Sequence, residues 1–247
     1  MAFDDFYGYG YGRFPRYVSV AERRAKALKQ ARKLEKRGRT LEAVTMTGQR
    51  IASSFWGKAW CKNLESYMDF SNRLPRGRTY LRSGAVVDLR IGAGQIDALV
   101  AGTSLYEVSV RIEKLVRRRW AAVIKRCAGH IDSVVGLLQG TLSDAVLEAL
   151  VDRRAGLFPA PKEIDFTCSC PDSAFLCKHI AAVLYGVGAR LDNKPELFFT
   201  LRSVALEELV ARSALRRAPR AKEALDTGSL EGIFGIELDR RPRRSGR

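Results

Sequence analysis

Three cysteines and one histidine fall within twelve consecutive residues of the stretch FTCSCPDSAFLCKHIAAVLYGVG, positions 166 to 188. The whole chain of 247 residues holds only five cysteines and two histidines, so core packing gives no reason for this crowding. The spacing is Cys168-x-Cys170, six residues, then Cys177-x-His179. Three thiolates and one imidazole complete a tetrahedral zinc site with no position left for water, which makes it closed and structural rather than catalytic. A redox dithiol motif usually spaces its thiols by two residues, and none here does. Iron–sulfur ligation generally takes four cysteines. Cys168, Cys170, Cys177 and His179 are therefore the predicted ligands of one structural zinc ion.

The flanking elements must bring these four residues to one point. Glu163 to Thr167 (EIDFT) reads as a short strand that delivers Cys168, and Pro171-Asp172 turns the chain after Cys170. After His179, IAAVLYGVGARL predicts an amphipathic helix with Ile180, Val183, Leu184 and Val187 inward. Residues i and i+2 diverge in mid-helix, so this helix must begin between or just after Cys177 and His179. Its dipole and free N–H groups then favour thiolate charge. Lys178, between the two ligands, offsets the formal negative charge of the centre. Taken as a local site, the cluster predicts that Cys177→Ser unsettles residues 165 to 200 and leaves the upstream strands partly folded.

Composition bounds the rest. Nearly half the chain is apolar, enough for a sizeable core, and no run of eighteen apolar residues appears. The N-terminus lacks the basic and apolar regions of a signal peptide, which points to the cytosol, or to DNA, and to reduced thiols. The net charge of +16 is uneven. Residues 13 to 50 carry twelve Lys or Arg against three Glu, and residues 212 to 247 carry ten against five acids. Residues 51 to 211 are close to balanced, with twenty-one against seventeen. Basic ends around a near-neutral middle suit a polyanion, DNA first and RNA second, although an acidic protein would be served as well.

Along the chain, residues 1 to 17 repeat Tyr-Gly and read as flexible. Residues 19 to 37 predict a helix with a Ser19/Glu22 capping box and Gly38 just past its end. Its apolar stripe is thin, and its cationic face (Arg23, Arg24, Lys29, Arg32, Lys33) is either solvated or laid against phosphates. Phe55, Trp56, Ala59, Trp60, Leu64 and Tyr67 make a core stripe at near-helical spacing, with Cys61 a packed thiol. NRLPRGRTYLRSG (72 to 84) reads as a loop presenting Arg73, Arg76, Arg78 and Arg82 around Tyr80, to phosphates or as a soluble rim.

Runs 85–91, 95–102 and 105–115 predict a small antiparallel meander, and the pattern is helical from 117 on. Cys127 and His130 lie three apart, without a third ligand, and read as a packed thiol and a surface imidazole. The tail is Arg-rich with an apolar island at 229 to 239. The fold class is α+β: a small antiparallel meander, a mostly helical C-terminal lobe holding the finger, and basic flexible ends. By segment this gives a basic helix and linker at 18–50, a body at 51–160, the zinc finger and following helices at 161–211, and the tail from 212.

C-x-C-x6-C-x-H followed directly by an apolar helix resembles the SWIM-type zinc finger. FTCSCPDSAFLCKHIAAVLYGVGARLDNKPELFFTLR is similar to its version in bacterial SWIM zinc-finger proteins. FWGKAWCKNLESY, NRLPRGRTYLRSG, CAGHIDSVVGLLQG and GLFPAPKEI resemble the upstream body of the same proteins, roughly residues 15 to 205. The resemblance implies zinc on the four named ligands and a role in binding DNA or proteins. It also implies a Swi/Snf-type helicase or ATPase as partner, since such proteins are often encoded side by side. It assigns no nucleic-acid contact to any residue. No Walker loop, dinucleotide glycine fingerprint, H-E-x-x-H or nucleophile elbow is present. Asp88, Asp97, Asp132 and Asp144 are scattered acids, and a carboxylate nuclease is the remaining enzymatic reading. The expected function is a zinc-dependent, non-enzymatic nucleic-acid-binding accessory factor, the alternative an adaptor that recruits the ATPase without touching DNA.

Overall fold

A computed structural model describes residues 19–217, apart from 47, 49, 68–72, 132 and 153. The Tyr-Gly N-terminus, the tail from 218 with its apolar island, and the side chains of Arg23 and Arg24 lie outside the described residues. Four antiparallel strands form one sheet in sequence order: β1 (Val86–Gly92), β2 (Gln95–Ala101), β3 (Leu105–Ile112) and β4 (Ile164–Cys168). The expected meander is its first three strands. Alternation decides the faces: Val86, Ile96, Val100, Val108 and Val110 enter the main core, whereas Val87, Leu99 and Ala101 point the other way.

Helix α1 (Val20–Lys36) covers that second face by burying Ala27 and Ala31. Its start is the predicted capping box: Ser19 Oγ accepts from the Glu22 N–H at 3.2 Å, and the Ser19 N–H donates to Glu22 Oε2 at 2.9 Å. Gly38, at φ +88°, closes the other end in the left-handed conformation.

The main core is built around α7 (Lys178–Leu191), which lies between the sheet and two helices, α2 (Phe55–Tyr67) and α3 (Arg73–Arg82). The sequence predicts one buried face for α7. The structure buries it all round, from His179 to Ala189, because the sheet takes one side and α2 and α3 take the others. Small residues permit this. A Cβ on Gly77 would stand 2.5 Å from Ala181 Cβ and 2.8 Å from the Ala181 carbonyl carbon. A Cβ on Gly57 would stand 2.6 Å from the Gly188 carbonyl oxygen. Indole N–H groups tie the layers together: Trp60 Nε1 donates to the Leu184 carbonyl at 2.8 Å, and Trp56 Nε1 to that of Leu137 at 3.0 Å. Asp192, just past α7, accepts from the backbone and hydroxyl groups of both Ser53 and Ser54, anchoring the start of α2.

Residues 73–82 correct the sequence reading, since the expected arginine loop is a helix. Pro75 falls in the first turn, where its missing N–H costs nothing. Leu74, Gly77 and Leu81, at i, i+3 and i+7, form the buried side. The remaining helices, α4 (Arg117–Cys127), α5 (Val134–Gln139), α6 (Asp144–Val151), α8 (Glu196–Leu201) and α9 (Leu206–Arg217), supply the helical lobe. Cys127 is buried at the end of α4 and His130 is exposed beyond it, as expected.

In an ordinary helix interior Gly→Ala stabilises by about 1 kcal/mol. Gly77→Ala should instead destabilise by about 1–3 kcal/mol, because its methyl group meets the α7 backbone. A lowered melting temperature checks this, and a raised one would refute the close crossing.

Candidate metal centre

Each ligand is delivered by a different local feature. β4 pairs with β3 through Ile112 and Ile164, Val110 and Phe166, and Val108 and Cys168, which places Cys168 at the strand's end on the core face. Ser169 extends the pairing: its N–H donates to the Glu107 carbonyl at 3.0 Å, and its Oγ accepts from the Glu107 N–H at 2.9 Å. The chain then turns through Cys170 and Pro171. Asp172 accepts from Arg73 Nη1 of α3 at 2.6 Å and from the Ala174 N–H at 3.2 Å, so α3 holds the turn between the second and third ligands. Cys177 is the N-cap of α7, and His179 sits in the first turn. The helix therefore starts between the last two ligands, as their spacing requires.

The four donor atoms lie within 4.8 Å of one another. His179 Nδ1 is 3.8 Å from both the Cys168 and Cys177 sulfurs. A zinc tetrahedron with bonds of about 2.0–2.3 Å has edges of about 3.5–3.8 Å, so the arrangement fits one zinc ion with little adjustment. The donors set the charge as well. Cys177 is pushed well below the ordinary thiol range by the hydrogen bond from the Cys168 thiol, against its own burial, with His179 and the Ile180 N–H helping. Cys168 moves in the opposite direction through the same hydrogen bond. The two remaining cysteines differ: burial pushes Cys61 up to about 12 and Cys127 to about 11, which marks them as inert packed thiols.

The sequence reading missed what orients the imidazole. Tyr106 stacks on it with ring centres 4.4 Å apart, and Tyr80 of α3 meets it edge-on at 5.4 Å. Nε2 is buried without a hydrogen-bond partner among the described residues, and a Cβ on Gly102 would stand 3.0 Å from it. The pocket walls thus leave Nδ1 as the nitrogen aimed at the thiols. Only Gly102-Thr-Ser, taken as a turn signal, hinted at this. Lys178 Nζ lies 5.7 Å from the centre of the Tyr80 ring.

Residues 161–187 match the family model described as SWIM zinc finger. The chain carries a SWIM zinc finger. Over 179 residues it is 33% identical to Uncharacterized protein Rv2102 of Mycobacterium tuberculosis, an alignment covering 71% of this chain and 64% of that protein. No solved structure matches. The finger's Cys168, Cys170, Cys177 and His179 are the one group of three or more His, Cys, Asp or Glu residues among the described residues placed to share an ion. Asp88 is buried and committed to the Glu42 N–H at 2.9 Å and to Arg39 at 3.3 Å.

The cationic residues singled out from the sequence divide into two sets. Lys29, Arg32 and Lys33 are exposed on α1, and Arg76 and Arg82 are exposed on α3. Arg73 is spent on Asp172, while Arg78 is spent on Glu65 and on the Tyr185 hydroxyl at 3.0 Å. No helix among the described residues is long and apolar enough to cross a membrane.

With β4 in the sheet and α7 at the centre of the core, the finger is tied to the upstream strands rather than standing beside them. Zinc binding in small fingers is worth about 10 kcal/mol or more, the size of a whole domain's stability. Removing zinc by chelation or by Cys177→Ser should therefore abolish amide exchange protection in β1–β3 together with α7. Retained protection in the strands would refute the coupling. Gly102→Ala should lower zinc affinity about tenfold by displacing the imidazole, measured by competition with a chromophoric chelator.

Proposed function

We propose that this chain is a non-enzymatic nucleic-acid-binding protein whose finger is a structural element, acting as an accessory factor for a Swi/Snf-type ATPase. The observation that carries the reading is the construction of α1. Ala27 and Ala31 bring the helix close to the sheet, and Lys29, Arg32, Lys33 and Lys36 stand exposed on it. They line a groove of about 530 Å³ together with Ala25 and Leu28. Glu22, one of its two acids, is tied up in the cap. A helix with a row of exposed cations that make no ion pair among the described residues suits the phosphates of DNA or RNA. The four protein donors satisfy zinc without a water position, which supports a structural ion rather than a hydrolytic one. The ATPase rests on the family resemblance alone.

The adaptor reading has its own support. Phe175 is 64% exposed in the finger loop and packs at a tilt against Phe166 with ring centres 4.7 Å apart, apolar surface that a protein partner would cover.

Zinc-loaded protein should bind labelled duplex and single-stranded DNA with affinity that falls steeply with salt, by about 0.9 in log–log slope per duplex phosphate neutralised. Replacing Lys29, Arg32 and Lys33 by Ala should reduce that slope by about 2–3. Absence of binding at low salt would leave the adaptor reading. Nicking of supercoiled plasmid with magnesium or manganese would overturn the non-enzymatic one.

A further inference from the structure

A second cationic surface lies on α2, a helix whose sequence suggests only core. Lys58 and Lys62, one turn apart, are exposed and border two recesses at once. On one side is a recess of about 310 Å³, lined by Arg50, Arg82, Arg78 and Tyr185 as well. On the other is a groove of about 820 Å³, whose walls include Phe55, Phe158, Asn63, Ser66 and Gln139.

The charge is one-sided. Glu65 is the one carboxylate lining either recess among the described residues, and it already binds Arg78 and accepts from the Tyr185 hydroxyl at 2.9 Å. Arg50, Lys58 and Lys62 make no ion pair among the described residues. Like charges at i and i+4 weaken a helix, a cost that a bound anion relieves. The groove beside them has a different character. It is of ligand size, with the half-buried Phe55 on its wall and amide and hydroxyl groups along its rim. Cations beside a groove that offers an aromatic ring, Phe55, are what a single nucleic-acid strand needs, phosphates on one and bases in the other. A duplex keeps its bases stacked inside and cannot fill the groove.

We propose that Arg50, Lys58 and Lys62 hold the phosphodiesters of a single nucleic-acid strand whose bases enter the groove beside Phe55. This rests on the nucleic-acid reading above and names where a single strand runs, apart from α1.

The test uses the zinc-loaded full chain with labelled oligothymidylate, oligouridylate and a duplex of equal length, titrated across a salt series. Lys58→Ala with Lys62→Ala should weaken single-strand binding by about tenfold or more and reduce its log–log salt slope by about 1.4, or 0.7 per phosphate. Duplex binding should change less. Gln139→Glu, an exposed change on the groove rim, should also weaken single-strand binding. Zinc content should stay at the wild-type value in both variants, and melting temperature should not fall. A preference between thymidylate and uridylate would identify the strand as DNA or RNA. Single-strand binding that persists in the Lys58/Lys62 variant but falls on replacing Lys29, Arg32 and Lys33 would overturn the groove and leave the nucleic-acid reading on α1. Equal losses on duplex and single strand would overturn base entry. No binding by the wild-type chain would sink both.

Discussion

Helix α7 must be buried on every side while its first turn offers two ligands to a metal ion, and the rest of the molecule answers to that constraint. A helix packed all round leaves no solvent-facing side on which to place the charge of thiolates, so they gather at its N-terminus, where free N–H groups point outward. Cys177 takes the cap position and His179 the first turn. The two other thiols must then come from outside the helix, and β4 with its turn brings them. The metal holds helix and strand together at the point where neither has backbone partners to offer the other.

Packing around α7 is set by residues that give up side-chain volume. Ala181, Gly77, Gly57 and Gly188 allow α2 and α3 to approach at backbone distance. Close crossings of this kind transmit strain because interiors are packed as densely as organic crystals. A disturbance at the ligands therefore reaches the helices, and one at the helices reaches the ligands through Arg73 on Asp172 and Tyr80 on His179. The Asp192 carboxylate does the same at the far end of α7. Hydrogen bonds from Ser54 and Ser53 hold it below the ordinary carboxylate range despite the desolvation imposed by burial.

The basic residues serve two purposes that composition does not separate. Arg73, Arg78, Arg119 and Arg202 are spent on internal carboxylates, Glu163 receiving the last two. Arginine suits these places because its fork satisfies several acceptors while staying charged. The exposed cations on α1, on α2 and at Arg76 are among those that make no ion pair with the described residues and stay open to a partner.

Features that depend on neighbours within a turn or two are legible along the chain. The ligand set follows from the donor chemistry and spacing of Cys168, Cys170, Cys177 and His179. The α1 caps follow from Ser19, Glu22 and Gly38, and the first three strands follow from alternation. Features that depend on distant groups emerge on folding. Residues 73–82 are a helix because Gly77 meets Ala181, a contact spanning about a hundred positions, while Pro75 and four arginines look locally like a loop. The all-round burial of α7 depends on which elements cover it, and no periodicity within a fourteen-residue helix reveals that. The orientation of His179 and the division of the arginines have the same origin, since each is set by a partner brought close by folding rather than by spacing along the chain.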